Sequence, residues 1–132
     1  MAAAALLLAA AGAAHAGGDV QRGQRLYEAR CGGCHSVEAD RIGPRHAGVF
    51  GRRAGAVAGY DYSPALQRGG VVWDTRTLDR WLADPEAVLP GQRMGYRLMD
   101  AAERADVIAY LAALAASRPS TASCSADSQP RC

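Results

Sequence analysis

The segment Cys31-Gly32-Gly33-Cys34-His35 contains residue types at a spacing that can do chemistry. Two thiols separated by two residues can each add to one vinyl group of a haem, and the histidine that follows lies on the same side, where it can ligate the iron. The covalent links also keep that histidine at the metal, so ligation costs little chain entropy. The pattern predicts one covalent haem c held by Cys31, Cys34 and His35.

Two other chemistries use a pair of cysteines at this spacing, and the surrounding sequence disfavours both. A thioredoxin-like redox pair follows a strand, whereas a helical pattern precedes Cys31. A zinc site needs further Cys or His residues at ligand spacing, and His46 is the only other histidine beyond the leader segment. We expect Cys124 and Cys132, near the end of the chain, to form a disulfide or to stay as free thiols.

A haem iron with two protein ligands needs a second axial ligand, and three residues are candidates. Met94 ends the segment 90–94 (PGQRM), a turn followed by an extended stretch that can bring a thioether to the iron. Met99 precedes the start of a predicted helix, so we expect it in the core. His46 is expected to be a packed histidine. Spacing favours Met94 and leaves the other two open.

Length and composition indicate one small domain. The chain has 132 residues, of which 49% are apolar but only 6% aromatic, so a conventional core is thin and a cofactor could add apolar mass. The net charge of +2 does not suggest a nucleic-acid-binding protein. All 15 basic residues are arginine, so no side-chain amine is present to become a metal ligand.

Three regions follow one another along the chain. Residues 1–16 resemble a secretory signal peptide, because an apolar run too short to span a bilayer ends in Ala14-His15-Ala16, an A-x-A cleavage pattern. An uncleaved anchor is the alternative. Residues 17–116 form the predicted domain, and residues 117–132 a flexible Ser/Pro-rich tail. The mature protein is expected in the periplasm, without a membrane span.

Helical patterns dominate the domain, and no run of alternating residues suggests a sheet. Asp19 can cap a helix from Val20 to about Cys31, and Ser63-Pro64 starts a short helix that Gly69-Gly70 ends. A third helix starts near Asp74 and ends before Asp84-Pro85, and the last runs from about Ala101 to Ala116 behind the cap Asp100. The sequence predicts an all-α fold.

With these motifs the chain resembles class I cytochrome c, the family of mitochondrial cytochrome c and short periplasmic bacterial proteins. The resemblance covers Gly18 to about Leu114, in family order and near family spacing. Its matched segments are Gly18-Asp19-Val20, Cys31-Gly32-Gly33-Cys34-His35, Gly43-Pro44, Phe50-Gly51-Arg52, Trp73, Asp84-Pro85, Pro90-Gly91-Gln92-Arg93-Met94 and the run from Glu103 to Leu111.

The resemblance implies a fold and a set of site residues. The fold is the cytochrome c fold, in which the N- and C-terminal helices cross, with Gly23 allowing a close approach near Tyr110. Two or more short helices and ordered loops surround the haem. The implied roles are thioether formation by Cys31 and Cys34, axial ligation by His35 and Met94, a hydrogen bond from His35 to the Pro44 carbonyl, and haem propionate binding by Arg52, Tyr62 and Trp73.

Three positions depart from the family pattern. His46 stands where the family usually has a Leu packed against the haem, and Leu66 stands where eukaryotic members have an Asn. Trp81 replaces a Tyr whose hydroxyl usually points at the methionine sulfur. These departures alter the polarity near Met94.

The resemblance implies a monomeric, periplasmic single-electron carrier and not an enzyme. Its expected partners are larger redox proteins such as a cytochrome bc complex, a terminal oxidase or a photosynthetic reaction centre, with Arg30, Arg93 and Arg97 as a docking rim. Two alternatives remain. One is a haem c enzyme or gas sensor with an open sixth position, and the other is an electron-transfer subunit of a dehydrogenase complex.

Overall fold

The structure, a computed structural model, describes residues 17–118. Five helices follow one another in this part of the chain: α1 (Val20–Arg30), α2 (Pro64–Arg68), α3 (Thr75–Ala83), α4 (Pro85–Val88) and α5 (Ala101–Ala116). The same residues contain no strand, only a single antiparallel bridge between Arg53 and Val72. The all-α prediction is confirmed. The predicted signal segment, Cys124 and Cys132 lie outside the described residues.

The helices α1 and α5 cross at Gly23, where their backbones are in close contact. A Cβ atom on Gly23 would collide with the Asp106 carbonyl and lie 3.0 Å from Cβ of Tyr110. The Asp106 side chain, only 6% exposed, accepts hydrogen bonds from Arg22 Nε at 2.8 Å and from the Asp19 amide at 2.6 Å. The crossing predicted at Gly23 is therefore present, and an ion pair fixes its register.

Side-chain caps begin the helices where the sequence predicted them. Asp19 caps α1 and Ser63 caps α2. Asp74 and Thr77 bond each other's backbone amides at 2.8 Å, a reciprocal capping box on α3. Asp100 accepts from the Glu103 amide at 2.9 Å and starts α5.

Helix α4 was not predicted. The sequence indicates the pair Asp84-Pro85 only as the end of α3, but the Asp84 side chain also accepts from the Ala87 amide, and Pro85 occupies the first helical position. The same two residues therefore end one helix and begin the next. The segment that follows carries Met94.

The core lies between α1, α3 and α5 and includes both tryptophans. Trp73 is 6% and Trp81 7% exposed, and their ring centroids are 5.1 Å apart. The expectation that Met99 is in the core is wrong, because Met99 is 74% exposed while its neighbour Leu98 is buried. Successive side chains of an extended segment point to opposite sides, and here the inward position belongs to Leu98.

Within residues 17–118, none of the five helices has the length and hydropathy that a transmembrane segment requires.

Candidate haem-binding site

Helix α1 ends directly at the cysteine pair. Cys31 is its C-cap, with an amide that donates to the Tyr27 carbonyl at 2.8 Å, and the His35 amide then donates to the Cys31 carbonyl at 2.9 Å. Burial raises the pKa of the Cys31 thiol to about 11, and Cys34 adds to the effect. A thiol that stays protonated at neutral pH is unlike the acidic thiol of a redox CxxC pair. The raised pKa of Cys31 therefore disfavours a redox-active CxxC pair.

The ring of His35 is oriented by the backbone of the segment 43–44. Its Nδ1 lies 2.8 Å from the Pro44 carbonyl, the contact that the resemblance implies. Burial lowers the pKa of His35, and the bond to Pro44 partly opposes this effect. Because Nδ1–H donates to the carbonyl, Nε2 of the neutral ring is the nitrogen that can bind a metal.

Gly43 approaches this ring so closely that no other residue fits. A Cβ atom at this position would overlap the imidazole and lie 2.5 Å from Nδ1. The family pattern includes Gly43 but does not reveal this contact, since only the fold brings residue 43 against residue 35.

His46 lies flat against His35. The two ring centroids are 4.0 Å apart with an angle of 21° between the planes. Burial, with the nearby charges of His35 and Arg52, lowers the pKa of His46 to about 3, so the ring is neutral at physiological pH. A ring stacked on His35 lies on the same side of the site as His35. This position disfavours His46 as the opposite axial ligand.

Met94 lies in the segment between α4 and α5. Its Sδ accepts a hydrogen bond from Nε1 of Trp81 at 3.3 Å, and its side chain packs against the buried core. Trp81 stands where the family usually has a Tyr, and its indole N–H makes the contact to sulfur. Met99 points to solvent instead. Of the three sixth-ligand candidates, Met94 is the one whose donor atom is held by a hydrogen bond.

The three residues implied in propionate binding lie near one another. The Trp73 amide donates to the Arg52 carbonyl at 2.9 Å, and the side chains of Trp73 and Tyr62 are buried. Arg52 donates to the carbonyls of Ala47 at 2.9 Å and Arg45 at 3.0 Å. Burial lowers the pKa of Arg52 and raises that of Tyr62.

The Nε atom of Arg52 is buried and has no hydrogen-bond partner among the described residues. A buried donor of this kind is satisfied by an anionic acceptor such as a haem propionate. Over the same residues, no three His, Cys, Asp or Glu side chains are grouped to hold a metal ion. The two thiols, the imidazole, the thioether and the unpartnered guanidinium nitrogen together fit a haem and do not fit a zinc site.

Comparisons with known proteins identify the family of the chain. The cytochrome c family matches residues 20–115. Cytochrome c2 iso-2 of Magnetospirillum fulvum is 47% identical over 87 residues, which cover 64% of this chain and 91% of that protein. Cytochrome c of Gibberella zeae is 42% identical over 100 residues, which cover 73% of this chain and 94% of that protein.

The solved structures lead to the same family. Cytochrome cH from Methylobacterium extorquens superposes with a TM-score of 0.69 at 38% identity, covering 73% of this chain and 99% of that one. Ferricytochrome c2 from Rhodopseudomonas palustris superposes with a TM-score of 0.68 at 33% identity, covering 73% and 98%. This chain belongs to the class I cytochrome c family, whose members carry one covalent haem c and have the cytochrome c fold.

Proposed function

We propose that the chain is a periplasmic single-electron carrier whose haem iron is bound by His35 and Met94. The observation that carries this proposal is the hydrogen bond from Trp81 to the Met94 sulfur, which holds a soft ligand in a fixed position. His35 is held independently, through its Nδ1, by the Pro44 carbonyl. When bound, the haem supplies a one-electron couple, and His/Met ligation favours a higher potential than two histidines.

The other site residues bind the cofactor and protect it from water. Cys31 and Cys34 are proposed to form the two thioethers, and Arg52, Tyr62 and Trp73 to bind the propionates. The unpartnered Nε of Arg52 and the burial of Tyr62 and Trp73 support this assignment. Because both axial positions are taken in this proposal, no site is left for a substrate, and the protein is a carrier and not an enzyme.

The proposed location follows from the predicted signal peptide. The proposed partners follow from an iron whose two axial positions are both occupied by the protein. Residues 1–16 would direct the chain to the periplasm, where the monomer would exchange electrons with a cytochrome bc complex, a terminal oxidase or a reaction centre. Intact mass spectrometry of the periplasmic fraction tests the location. A mature chain that begins at Gly17 and carries one haem is expected, and a chain that retains residues 1–16 contradicts cleavage.

Ligation is tested by substitution of the two methionines. The ferric protein should show the weak near-infrared sulfur-to-iron band. Met94→Ala should abolish that band, lower the potential and allow carbon monoxide to bind the ferrous iron. Met99→Ala is the matched control, because Met99 is exposed, and it should leave all three properties unchanged.

The alternatives give different results in the same experiments. If the band survives Met94→Ala, the ligand assignment is wrong. Rapid carbon monoxide binding by the unmodified protein would indicate an open sixth position and favour the enzyme or gas-sensor alternative. Stable co-purification with a dehydrogenase would favour a bound subunit over a free carrier.

A further inference from the structure

The backbone that carries Met94 has few contacts of its own. Among the described residues, no backbone amide from 93 to 97 donates to a backbone carbonyl, and the next such bond runs from the Leu98 amide to the Leu82 carbonyl at 2.7 Å. An exposed stretch of chain without these bonds opens easily. Side chains must therefore hold the backbone of Met94 in place.

Two side chains, Glu86 on α4 and Gln92, supply the missing bonds. The Gly91 amide donates to Oε1 of Glu86 at 2.9 Å, and Nε2 of Gln92 donates to Oε2 of the same carboxylate at 3.3 Å. The side-chain carbonyl of Gln92 accepts from the Met94 amide. These three hydrogen bonds form a continuous path from α4 to the backbone of Met94, which we call the Glu86–Gln92 link.

The Glu86–Gln92 link has a fixed direction. An ionised carboxylate only accepts hydrogen bonds, so Glu86 orients the amino end of the Gln92 amide toward itself and leaves the carbonyl end for Met94. Trp81 holds the same methionine at its sulfur. The indole therefore restrains the tip of the Met94 side chain, and the link restrains its backbone.

We propose that Glu86 and Gln92 are positioning residues for Met94, and that the link between them keeps the sixth position of the iron closed to small ligands. An external ligand gains room there only when the Met94 backbone moves away, and this movement breaks the bond to Gln92. The inference rests on the proposed ligation by Met94 and names the residues that maintain it. Both act through the Met94 backbone, since neither bonds the sulfur.

The link is tested with imidazole, a neutral nitrogen ligand that can bind the ferric iron only where Met94 has left. Its affinity is measured by titration of the near-infrared sulfur-to-iron band, which disappears as imidazole binds. Gln92→Ala should raise the affinity about fivefold, as the loss of one hydrogen bond implies. Gln24→Ala is the matched control, because Gln24 donates to Glu28 at 3.0 Å in an exposed pair on α1, and it should leave the affinity unchanged.

An exchange of the two side chains tests the direction of the link. Glu86→Gln alone replaces an acceptor with a donor, and Gln92→Glu alone places two carboxylates against each other, so each should raise the affinity for imidazole about threefold or more. The double variant Glu86→Gln/Gln92→Glu keeps the net charge and lets the amide at position 86 donate to the carboxylate at position 92. Its affinity should return to that of the unmodified protein.

Hydrogen exchange of the Met94 amide, followed by NMR in the ferrous protein, measures the last bond of the link directly. Gln92→Ala should speed this exchange about fivefold, because the amide loses its acceptor. The amide of Arg93 is the internal control. It has no hydrogen-bond partner among the described residues, so its exchange rate should be the same in both proteins.

The outcomes separate this inference from the proposed function. If the band is present but Gln92→Ala changes neither the imidazole affinity nor the exchange of the Met94 amide, Met94 remains the ligand and the inference is overturned. It is also overturned if the double variant binds imidazole as tightly as the single variants, or if Gln24→Ala behaves like Gln92→Ala. If the unmodified protein lacks the band, the proposed ligation fails and the inference fails with it.

Discussion

The two proposed axial ligands, His35 and Met94, are held in different ways. On the His35 side, the ring is fixed by backbone, through the Pro44 carbonyl and the close approach of Gly43. On the Met94 side, the sulfur is held by one side-chain donor, Trp81, and the surrounding segment between α4 and α5 has no helix. A contact made by backbone cannot change without moving the chain, whereas a contact made by a side chain can be adjusted by one substitution.

Because of this difference, we expect substitutions near His35 and substitutions near Met94 to change different properties of the protein. The His35 side is continuous with the crossing of α1 and α5, because α1 ends at the cysteine pair. Substitutions there should affect stability and haem attachment. On the Met94 side, substitutions that keep the thioether should affect mainly the reduction potential.

The largest effect is expected from Gly43→Ala. The added methyl group would overlap the His35 ring, so either the ring or the loop must move. We expect a loss of about 3 kcal/mol in the free energy of unfolding and a low yield of haem-loaded protein. Denaturant unfolding and absorbance per mole of purified chain measure the two effects.

Gly33→Ala is the control for this experiment. A Cβ atom on Gly33 meets nothing within 4 Å, although the residue lies between the two cysteines. It should fold and load haem normally. If Gly43→Ala behaves in the same way, the backbone does not restrain the His35 ring as we describe.

A smaller effect is expected at the crossing of α1 and α5, with Asp106→Asn. The Arg22 side chain and the Asp19 amide bond the Asp106 carboxylate and hold its pKa below the usual range. Loss of a hydrogen bond to a charged group costs about 2 kcal/mol, so the variant should be destabilised by this amount at pH 7. Asp40→Asn removes the exposed pair with Arg45 and should cost less than about 0.5 kcal/mol.

The dependence on pH gives an independent measurement of the same contact. With a depressed pKa in the folded state, the unfolded chain binds the proton first as pH falls. The stabilisation is therefore complete above about pH 4, the pKa of an unperturbed Asp, and is lost as pH falls through the folded value. The difference between the unmodified protein and Asp106→Asn should shrink over this range. A difference that stays constant would mean that the carboxylate charge is not what stabilises the crossing.

Much of the fold could be predicted from local sequence. The starts of α1, α2, α3 and α5 were found because a capping side chain needs only residues within one turn. Helix α4 was missed although Asp84-Pro85 is the same kind of start as Ser63-Pro64. Its four residues are too few to show a helical periodicity, so no pattern confirmed the cap.

The residues of the site also differ in how far they could be predicted from local sequence. Cys31, Cys34 and His35 form a continuous pattern, so their chemistry could be inferred from spacing alone. The contacts of Trp81 with Met94, of His46 with His35 and of Gly43 with His35 join residues 8 to 13 positions apart across turns. Spacing does not determine which side of the site such residues occupy. The exposure of Met99 is not predictable for a different reason, since spacing does not show which of two neighbours in an extended segment points inward.

The smallest effect is expected from Trp81→Phe, which removes the donor to the Met94 sulfur and keeps an aromatic ring in the core. A hydrogen bond draws electron density from the thioether and weakens its donation to ferric iron, so the bond favours the ferrous state. Its removal should lower the reduction potential. A bond worth about 1 kcal/mol in one oxidation state corresponds to about 40 mV for a one-electron couple, so the shift should not exceed this value.

Spectroelectrochemical titration measures the shift, and the near-infrared band reports whether Met94 remains bound. The band should persist in Trp81→Phe, because the thioether itself is unchanged, although its position should move. Leu82→Ala is the matched control, since Leu82 is equally buried on the same helix but does not donate to the sulfur. If both variants lower the potential equally, core packing and not the N–H···S bond sets it. If Trp81→Phe loses the band, Met94 depends on that one donor for its position, and the Met94 side is as rigidly specified as the His35 side.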